Sequence, residues 1–264
     1  MSREPGEFAS DRFIRARLYA GDRSAFSRYR ELVVGGGSSW RLLWQELLML
    51  FLGPIPGALG LVLRRVFYPG LFRRCGRGVV FGRSVVIRNA QNVELGDGVL
   101  VDDYCLIDGR GGNDDPVVIG DRVILNRGVV VQAKIGTIRI GDDCDVGAGC
   151  NLISQGGVYV GRRVSLGGNC NIGGGLVQAD EDGDRGGEGG GHEPERRKLT
   201  RGAVRIGDDT ATGMCVLILD NVQVGAGCII DGGAVVKENV PDRTVAVPHQ
   251  RLVLLPRDAY RASK

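Results

Sequence analysis

His192 and His249 are the only imidazoles in the 264-residue chain, and imidazole is the side chain that gains and loses a proton near neutral pH. His192 lies within Gly186-Gly187-Glu188-Gly189-Gly190-Gly191-His192-Glu193-Pro194-Glu195, where Glu193 or Glu195 can orient the ring or raise its basicity. That setting suits removal of a proton from a hydroxyl or amine. The opposing reading is a solvated residue of a glycine-rich connection, because catalysis needs a side chain held to within about 0.5 Å. His249 follows Pro248, where a surface or packing role is expected. Seven cysteines raise metal or redox chemistry, but no Cys-x-x-Cys or histidine-rich spacing is present, so neither a zinc site nor a redox pair is expected. Asp102, Asp103, Asp108, Asp142, Asp143 and Asp145 cluster without the nine-residue Gly-Asp pattern of calcium-binding β-rolls and read as turn formers. No metal is expected.

The elements that must position these groups are written in a six-residue rhythm. An aliphatic residue returns at Leu95, Val101, Ile107; Ile119, Leu125, Val131; Ile140, Val146, Leu152; and Val160, Leu166, Ile172. After a break come Ile206, Thr212, Ile218, then Val224, Ile230, Val236. Each triplet occupies 18 residues, the length of three short strands joined by tight turns, with the aliphatic residues stacking inward coil upon coil. Gly or Asp follows the aliphatic position, as in Ile119-Gly120-Asp121, and is expected to tolerate the unusual backbone angles of a corner. Four places after the aliphatic residue stands a compact one, among them Cys105, Cys144, Cys150, Cys170 and Cys228. These five cysteines are expected to be core fillers. The period predicts a mainly β chain folded as a parallel β-helix.

Composition agrees. The 44 glycines and 6% aromatic content suit thin coils that cannot accommodate stacked rings. A formal charge of +3, with no basic stripe interleaved by aromatics, gives no reason to expect nucleic-acid binding. Cys75 and Cys215 lack partners by spacing, and unpaired thiols favour a reducing compartment such as the cytoplasm. Residues 1–10 lack the basic start and apolar run of a secretory signal.

Before the coils, residues 1–77 read as a helical appendage, with Ser39 as the expected cap of a helix starting at Trp40. Leu47 to Leu63 carries no charge but is interrupted by Gly53-Pro54-Ile55-Pro56-Gly57. Its 17 residues fall short of a straight spanning helix. Two readings stand: a helix–turn–helix in a membrane interface, anchored by Trp40, Trp44 and the arginines from Arg64 to Arg77, or a hairpin packed over the open end of the coils or between subunits. The β-helix is placed at residues 78–245, with a long loop at 178–205 and a tail at 246–264.

Taken together, the coils, the stretch Gly53-Pro54-Ile55-Pro56-Gly57-Ala58-Leu59-Gly60 and the ending Gly233-Ala234-Val235-Val236-Lys237-Glu238-Asn239-Val240-Pro241 resemble the hexapeptide-repeat acyltransferases. The resemblance implies a left-handed parallel β-helix, a homotrimer, and acetyl-coenzyme A bound between neighbouring prisms. It also implies a histidine that deprotonates a sugar or glycan acceptor. Carried onto this chain, it puts His192 forward as the general base, because the 178–205 loop emerges where the family places its substrate loop. Lys237 and Arg251 become candidate contacts to coenzyme A phosphates. Gly225, Ala226, Gly232 and Gly233 become places where the pantetheine arm can approach the backbone, corner geometry being the competing explanation.

Three family motifs differ. The catalytic histidine expected after a Gly-Gly pair is missing from Ile172-Gly173-Gly174-Gly175-Leu176-Val177, the following hexad has Asp208-Asp209-Thr210-Ala211-Thr212-Gly213 instead of a Trp, and the end reads Ala246-Val247-Pro248-His249-Gln250-Arg251. Two functions therefore stay open. One is an acyl-coenzyme A-dependent O- or N-acetyltransferase at the inner face of a membrane, acting on a glycan, sugar or lipid-linked sugar. The other is a catalytically inactive β-helix scaffold or binding subunit.

Overall fold

The computed structural model describes residues 24–35, 38–111, 115–173, 177–178, 198–199 and 202–248, the pairs 177–178 and 198–199 by backbone alone. His192, His249 and Arg251 lie outside the described residues. The chain forms a left-handed solenoid of short strands in three parallel sheets, one along each side of a triangular prism. Every third strand of the coils pairs with its equivalent in the next coil, so Ile119, Ile140, Val160 and Ile206 stack in the first sheet in one register. The inward positions are buried throughout, and Val99, Cys105, Val123, Cys150 and Cys170 fill the compact positions at 0–1% exposure. Each fully buried aliphatic side chain contributes roughly 1.5–3 kcal/mol. Burial pushes the Cys105 thiol up to about 11, which keeps it neutral and fits its role as filler.

The solenoid starts one coil earlier than the run from Leu95. Strands β1 (Arg74–Cys75), β2 (Val80–Phe81) and β3 (Val86–Arg88) form a first coil in register with β4 (Val93–Leu95), β5 (Leu100–Val101) and β6 (Leu106–Asp108). Phe81 takes the inward place and can do so because the end of the prism is open to a ring: Phe72 stacks on it at 5.5 Å and Tyr68 meets it at 5.5 Å, tilted. At the far end the chain finishes with β24 (Val245–Ala246) paired to β22 (Ile229–Ile230).

Corner chemistry differs from the sequence expectation in one respect. The left-handed residue is the third after the inward aliphatic, not the first or second: Gly98, Arg122, Asp143, Arg163 and Asp209 have φ between 54° and 68°. The first position is glycine because the next coil lies against it; a Cβ on Gly120 would sit 2.4 Å from Asp142 Oδ1. The second is aspartate because its carboxylate accepts from the coil before. Asp121 Oδ1 takes the Asp97 N–H at 2.8 Å, Asp142 Oδ1 the Asp121 N–H at 2.8 Å, and Asp208 Oδ1 the Arg162 N–H at 2.8 Å. At the third position charges alternate up the prism, with Arg122 on Asp143 and Arg163 on Asp209, each pair closing at 2.6 Å.

A pH dependence follows. Arg122 hydrogen-bonded to Asp143, and Arg163 to Asp209, hold both carboxyls below the usual range, and the Arg77 backbone N–H does the same for Asp97. A carboxylate whose pKa is lower folded than unfolded stabilises the fold fully above its unfolded value, about 3.9, and loses that contribution as pH falls through the folded value. Thermal midpoints are expected to hold steady from neutral pH to about pH 5 and to drop below that, less steeply in high salt because these pairs are exposed.

Three helices precede the coils: α1 (Ala25–Val34), α2 (Ser39–Leu52) and α3 (Gly57–Phe67). Ser24 caps α1 by accepting from the Ser27 N–H, and Gly35 ends it in the left-handed conformation. The cap of α2 is Ser38, one residue before the Ser39 expected, with its hydroxyl accepting from the Trp40 N–H at 3.3 Å. The last carbonyls of α1 are satisfied by the first coil, Val33 by the Asn89 N–H and Val34 by Gln91 Nε2. In α2, Leu48 joins the solenoid's core and Gln45 Nε2 donates to Ile87 O at 2.8 Å. Arg64 of α3 is 2% exposed and donates to the carbonyls of Phe81, Leu52, Gly53 and Ile55. Gly60 is required beside it, because a Cβ there would lie 2.0 Å from Ile55 O. The hairpin thus covers the open end, and no helix among the described residues is long and apolar enough to cross a membrane.

Candidate functional site

On the outer side of the first sheet the middle residue of each strand points away from the core. The rows of β10 (Ile138–Ile140), β13 (Val158–Val160), β18 (Val204–Ile206) and β21 (Gln223–Val224) bring Arg139, Tyr159, Arg205 and Gln223 into one line by direct pairing. These residues, with Asn239 and Pro241 from the turn beyond, line an open groove of about 600 Å³. Arg205 Cζ lies 4.3 Å from the centroid of the Tyr159 ring, a cation–π stack. Arg139 pairs with Asp115. Asn239 Oδ1 accepts from the Gln223 N–H at 2.8 Å and ties the closing turn to the sheet. The groove therefore carries a Tyr159 ring stacked by Arg205 and an Arg139 guanidinium paired with Asp115, beside a corner of backbone.

The glycine corners need a different explanation from ligand approach alone. Gly225 lines the groove, but a Cβ there would sit 2.3 Å from Asp242 Oδ1, so coil stacking already demands glycine. The Ala226 N–H is taken by Asp242 Oδ1 at 2.8 Å. Gly233, at φ 74°, has open space where a Cβ would stand, and its positive φ accounts for it. Gly232 precedes it, its N–H donating to Asp231 Oδ1 at 2.8 Å. Lys237 is exposed just after β23 (Val235–Val236).

The structure distributes these residues over three corners of the last full coil. Gly225 and Ala226 follow the first-sheet strand β21, Gly232 and Gly233 follow the second-sheet strand β22, and Lys237 follows the third-sheet strand β23. The groove on one prism reaches from the Gly225 corner to the turn after β23 at Asn239 and Pro241. The long loop leaves after β15 (Asn171–Gly173) of the third sheet and returns before β18 of the first, which puts its base at the corner that carries Lys237, two coils away. Its two ends pair antiparallel, Val177 with Leu199 and Gln178 with Lys198, as strands β16 and β17. His192 belongs to the segment beyond this stem.

The Arg139–Tyr159–Arg205 row was legible only as the variable position before each inward aliphatic. Its signal was a basic or aromatic residue at that position in three successive coils, Arg139-Ile140, Tyr159-Val160 and Arg205-Ile206. Among the described residues no cluster of three or more His, Cys, Asp or Glu side chains could hold a metal ion. Of the coil carboxylates, Asp142 and Asp143 serve the ladder described above, Asp103 accepts from the Arg83 N–H, Asp108 from Arg110 and Asp145 from Asn126. Asn151 and Asn171 form a short ladder of their own, Nδ2 to Oδ1 at 3.0 Å.

No protein-family model matches the chain. It is similar to the Bifunctional protein GlmU of Zymomonas mobilis, 28% identical over 174 residues, covering 63% of this chain and 34% of that protein. The GlmU of a Synechococcus strain is 26% identical over 202 residues, covering 65% of this chain and 39% of that protein. The chain thus spans little more than a third of the length of these curated relatives. Among solved structures, it is similar to AntD, an N-acyltransferase from Bacillus cereus in complex with dTDP and 3-hydroxybutyryl-CoA, at a TM-score of 0.45 and 17% identity over 73% of this chain and 88% of that one. A maltose O-acetyltransferase from Clostridium difficile overlaps at a TM-score of 0.37 and 16% identity, over 78% and 79%.

Proposed function

We propose that this chain is an acyl-coenzyme A-dependent O- or N-acetyltransferase that acts, as a homotrimer, on a sugar or glycan acceptor, free or lipid-linked. The observation that carries the reading is the row of Arg139, Tyr159 and Arg205 along a groove of about 600 Å³ on the coils flanking the long loop. A guanidinium stacked on an aromatic face suits the nucleotide end of acyl-coenzyme A, with Arg205 meeting phosphate oxygens. The seven free cysteines support a reducing, cytoplasmic setting.

Acyl-coenzyme A supplies an activated thioester when bound. His192 takes the proton from the acceptor hydroxyl or amine as its lone pair attacks the thioester carbonyl. The C–S bond breaks, and His192 returns the proton to the departing thiolate, so the products are the acylated acceptor and free coenzyme A. No covalent enzyme intermediate is needed. Lys237 and Arg251 stand as further phosphate contacts and Gly225, Ala226, Gly232 and Gly233 as backbone approaches in the cleft between prisms.

The test is release of thiol from acetyl-coenzyme A in the presence of sugar nucleotides or glycans. Arg205→Ala is expected to raise KM for acetyl-coenzyme A by about tenfold with kcat changed little, the pattern of lost ground-state binding. Arg205 is exposed and its stability cost is small. Calorimetry that detects no acetyl-coenzyme A binding would sink the reading, and binding without transfer to any acceptor would leave the scaffold reading in its place.

A further inference from the structure

The helical hairpin is apolar on its outer face as well as on the side that packs inward. On α2 the exposed residues Trp40, Leu43, Trp44, Leu47, Leu50 and Phe51 fall at helical spacing, Leu50 at 66% and Phe51 at 64% exposure. The opposite, buried stripe holds Leu42, Gln45 and Leu48. On α3, Leu59, Val62 and Val66 face outward while Arg64 is the side chain turned in. Exposed apolar surface of this extent, with Arg64 turned in, marks a face built for an apolar surrounding.

Charge identifies that surrounding. From Ser38 to Arg77 the chain carries six arginines and one acid, Glu46, whose carboxylate is occupied by the Tyr29 hydroxyl at 2.8 Å. With Arg64 buried, Arg41 and Arg65 on the helices and Arg74 at the first coil remain exposed at the margin of the apolar face. A second copy docked face to face would bring like-charged rims together. An anionic bilayer complements both the apolar centre and the cationic rim. The 14 residues of α2, about 21 Å long at 1.5 Å per residue, fall short of a hydrocarbon core of about 30 Å, so the helix lies along the interface.

The geometry points to the outward face of the α2–α3 hairpin as a docking surface for anionic phospholipid, holding the first coil of the solenoid against the membrane. This docking is independent of the transfer chemistry. Trp40 and Trp44 are the only tryptophans in the chain and both lie on this face, so intrinsic emission reports the surface directly. Titrating the full chain with phosphatidylcholine/phosphatidylglycerol vesicles is expected to shift tryptophan emission to the blue and to co-sediment the protein, whereas pure phosphatidylcholine vesicles do so far more weakly. Combining Arg41→Gln with Arg65→Gln is expected to lower partition about thirtyfold, and Leu50→Glu with Phe51→Glu to abolish it. Far-UV circular dichroism checks that both variants fold. Transfer to a soluble acceptor in vesicle-free solution is unchanged in both, and a chain that docks without transferring would overturn the catalytic reading alone. Unshifted emission with anionic vesicles overturns the docking proposal, as does emission already blue in vesicle-free protein, which means a protein segment or second copy covers the face.

Discussion

His192→Ala is expected to lower the rate of acetyl transfer by a factor of about 10²–10⁴ while leaving KM for acetyl-coenzyme A and the thermal midpoint close to wild type. That range is what a positioned general base contributes, and the kinetic split distinguishes it from a binding residue. The substitution removes no part of the solenoid, because the loop leaves the coils at β15 and rejoins them at β18 with the Ile172 and Ile218 rungs paired across it. The rate profile offers a second readout: a histidine base predicts activity rising through the imidazole range as pH increases. Glu193→Gln and Glu195→Gln then identify which carboxylate assists, the effective one lowering the apparent pKa of that rise. A His192→Ala enzyme with undiminished turnover would remove the proposed base and shift attention to the polar groups at the base of the loop.

Arg64→Ala is expected to cost about 3 kcal/mol or more and to loosen the hairpin before the coils unfold. The guanidinium is buried and bonded to four carbonyls, with distances of 2.8–3.4 Å. Those of Leu52 and Gly53 end α2, where the helix dipole is negative and a cation is favoured. Phe81 O belongs to the first coil, so one side chain ties α2, the turn and the solenoid together. Truncation leaves buried acceptors without donors, and hydrogen bonds to a charged group are worth about 1.5–3 kcal/mol each before compensation. Arg64→Lys is expected to recover only part of the loss, because an ammonium lacks the planar spread that reaches both Phe81 and Ile55. Native-state hydrogen exchange across a urea series reports the hairpin amides and the coil amides separately. Separation of the two transitions is the expected signature, and coincident, unshifted transitions would contradict the role.

How much the sequence revealed varied with the scale of the interaction. The rungs at Leu95, Ile119, Ile140, Val160 and Ile206 were legible because a solenoid buries the same position in every coil, so packing is written as a period. The compact cysteines were legible for the same reason. The coil from Arg74 to Arg88, most of it inside the expected bounds from residue 78, stood outside the aliphatic run because Phe81 replaces an aliphatic residue where Tyr68 and Phe72 cover the end of the prism. The corner assignment slipped by one or two places because glycine suggests positive φ, while here the glycine serves contact with the coil above and Arg122 or Asp143 carries the strained angle.

By itself, then, the sequence determined the prism and its three stacked walls. It also exposed an uncharged stretch between Leu47 and Leu63 without deciding which way it faces. Only tertiary structure decided that Arg64 turns inward while Leu50 and Leu59 face outward, and that Arg139, Tyr159 and Arg205 share one groove although they lie up to 66 residues apart in sequence. The physical reason is that periodic burial is a local property repeated along the chain, whereas a buried cation and a surface row depend on which distant carbonyls and strands the fold brings alongside.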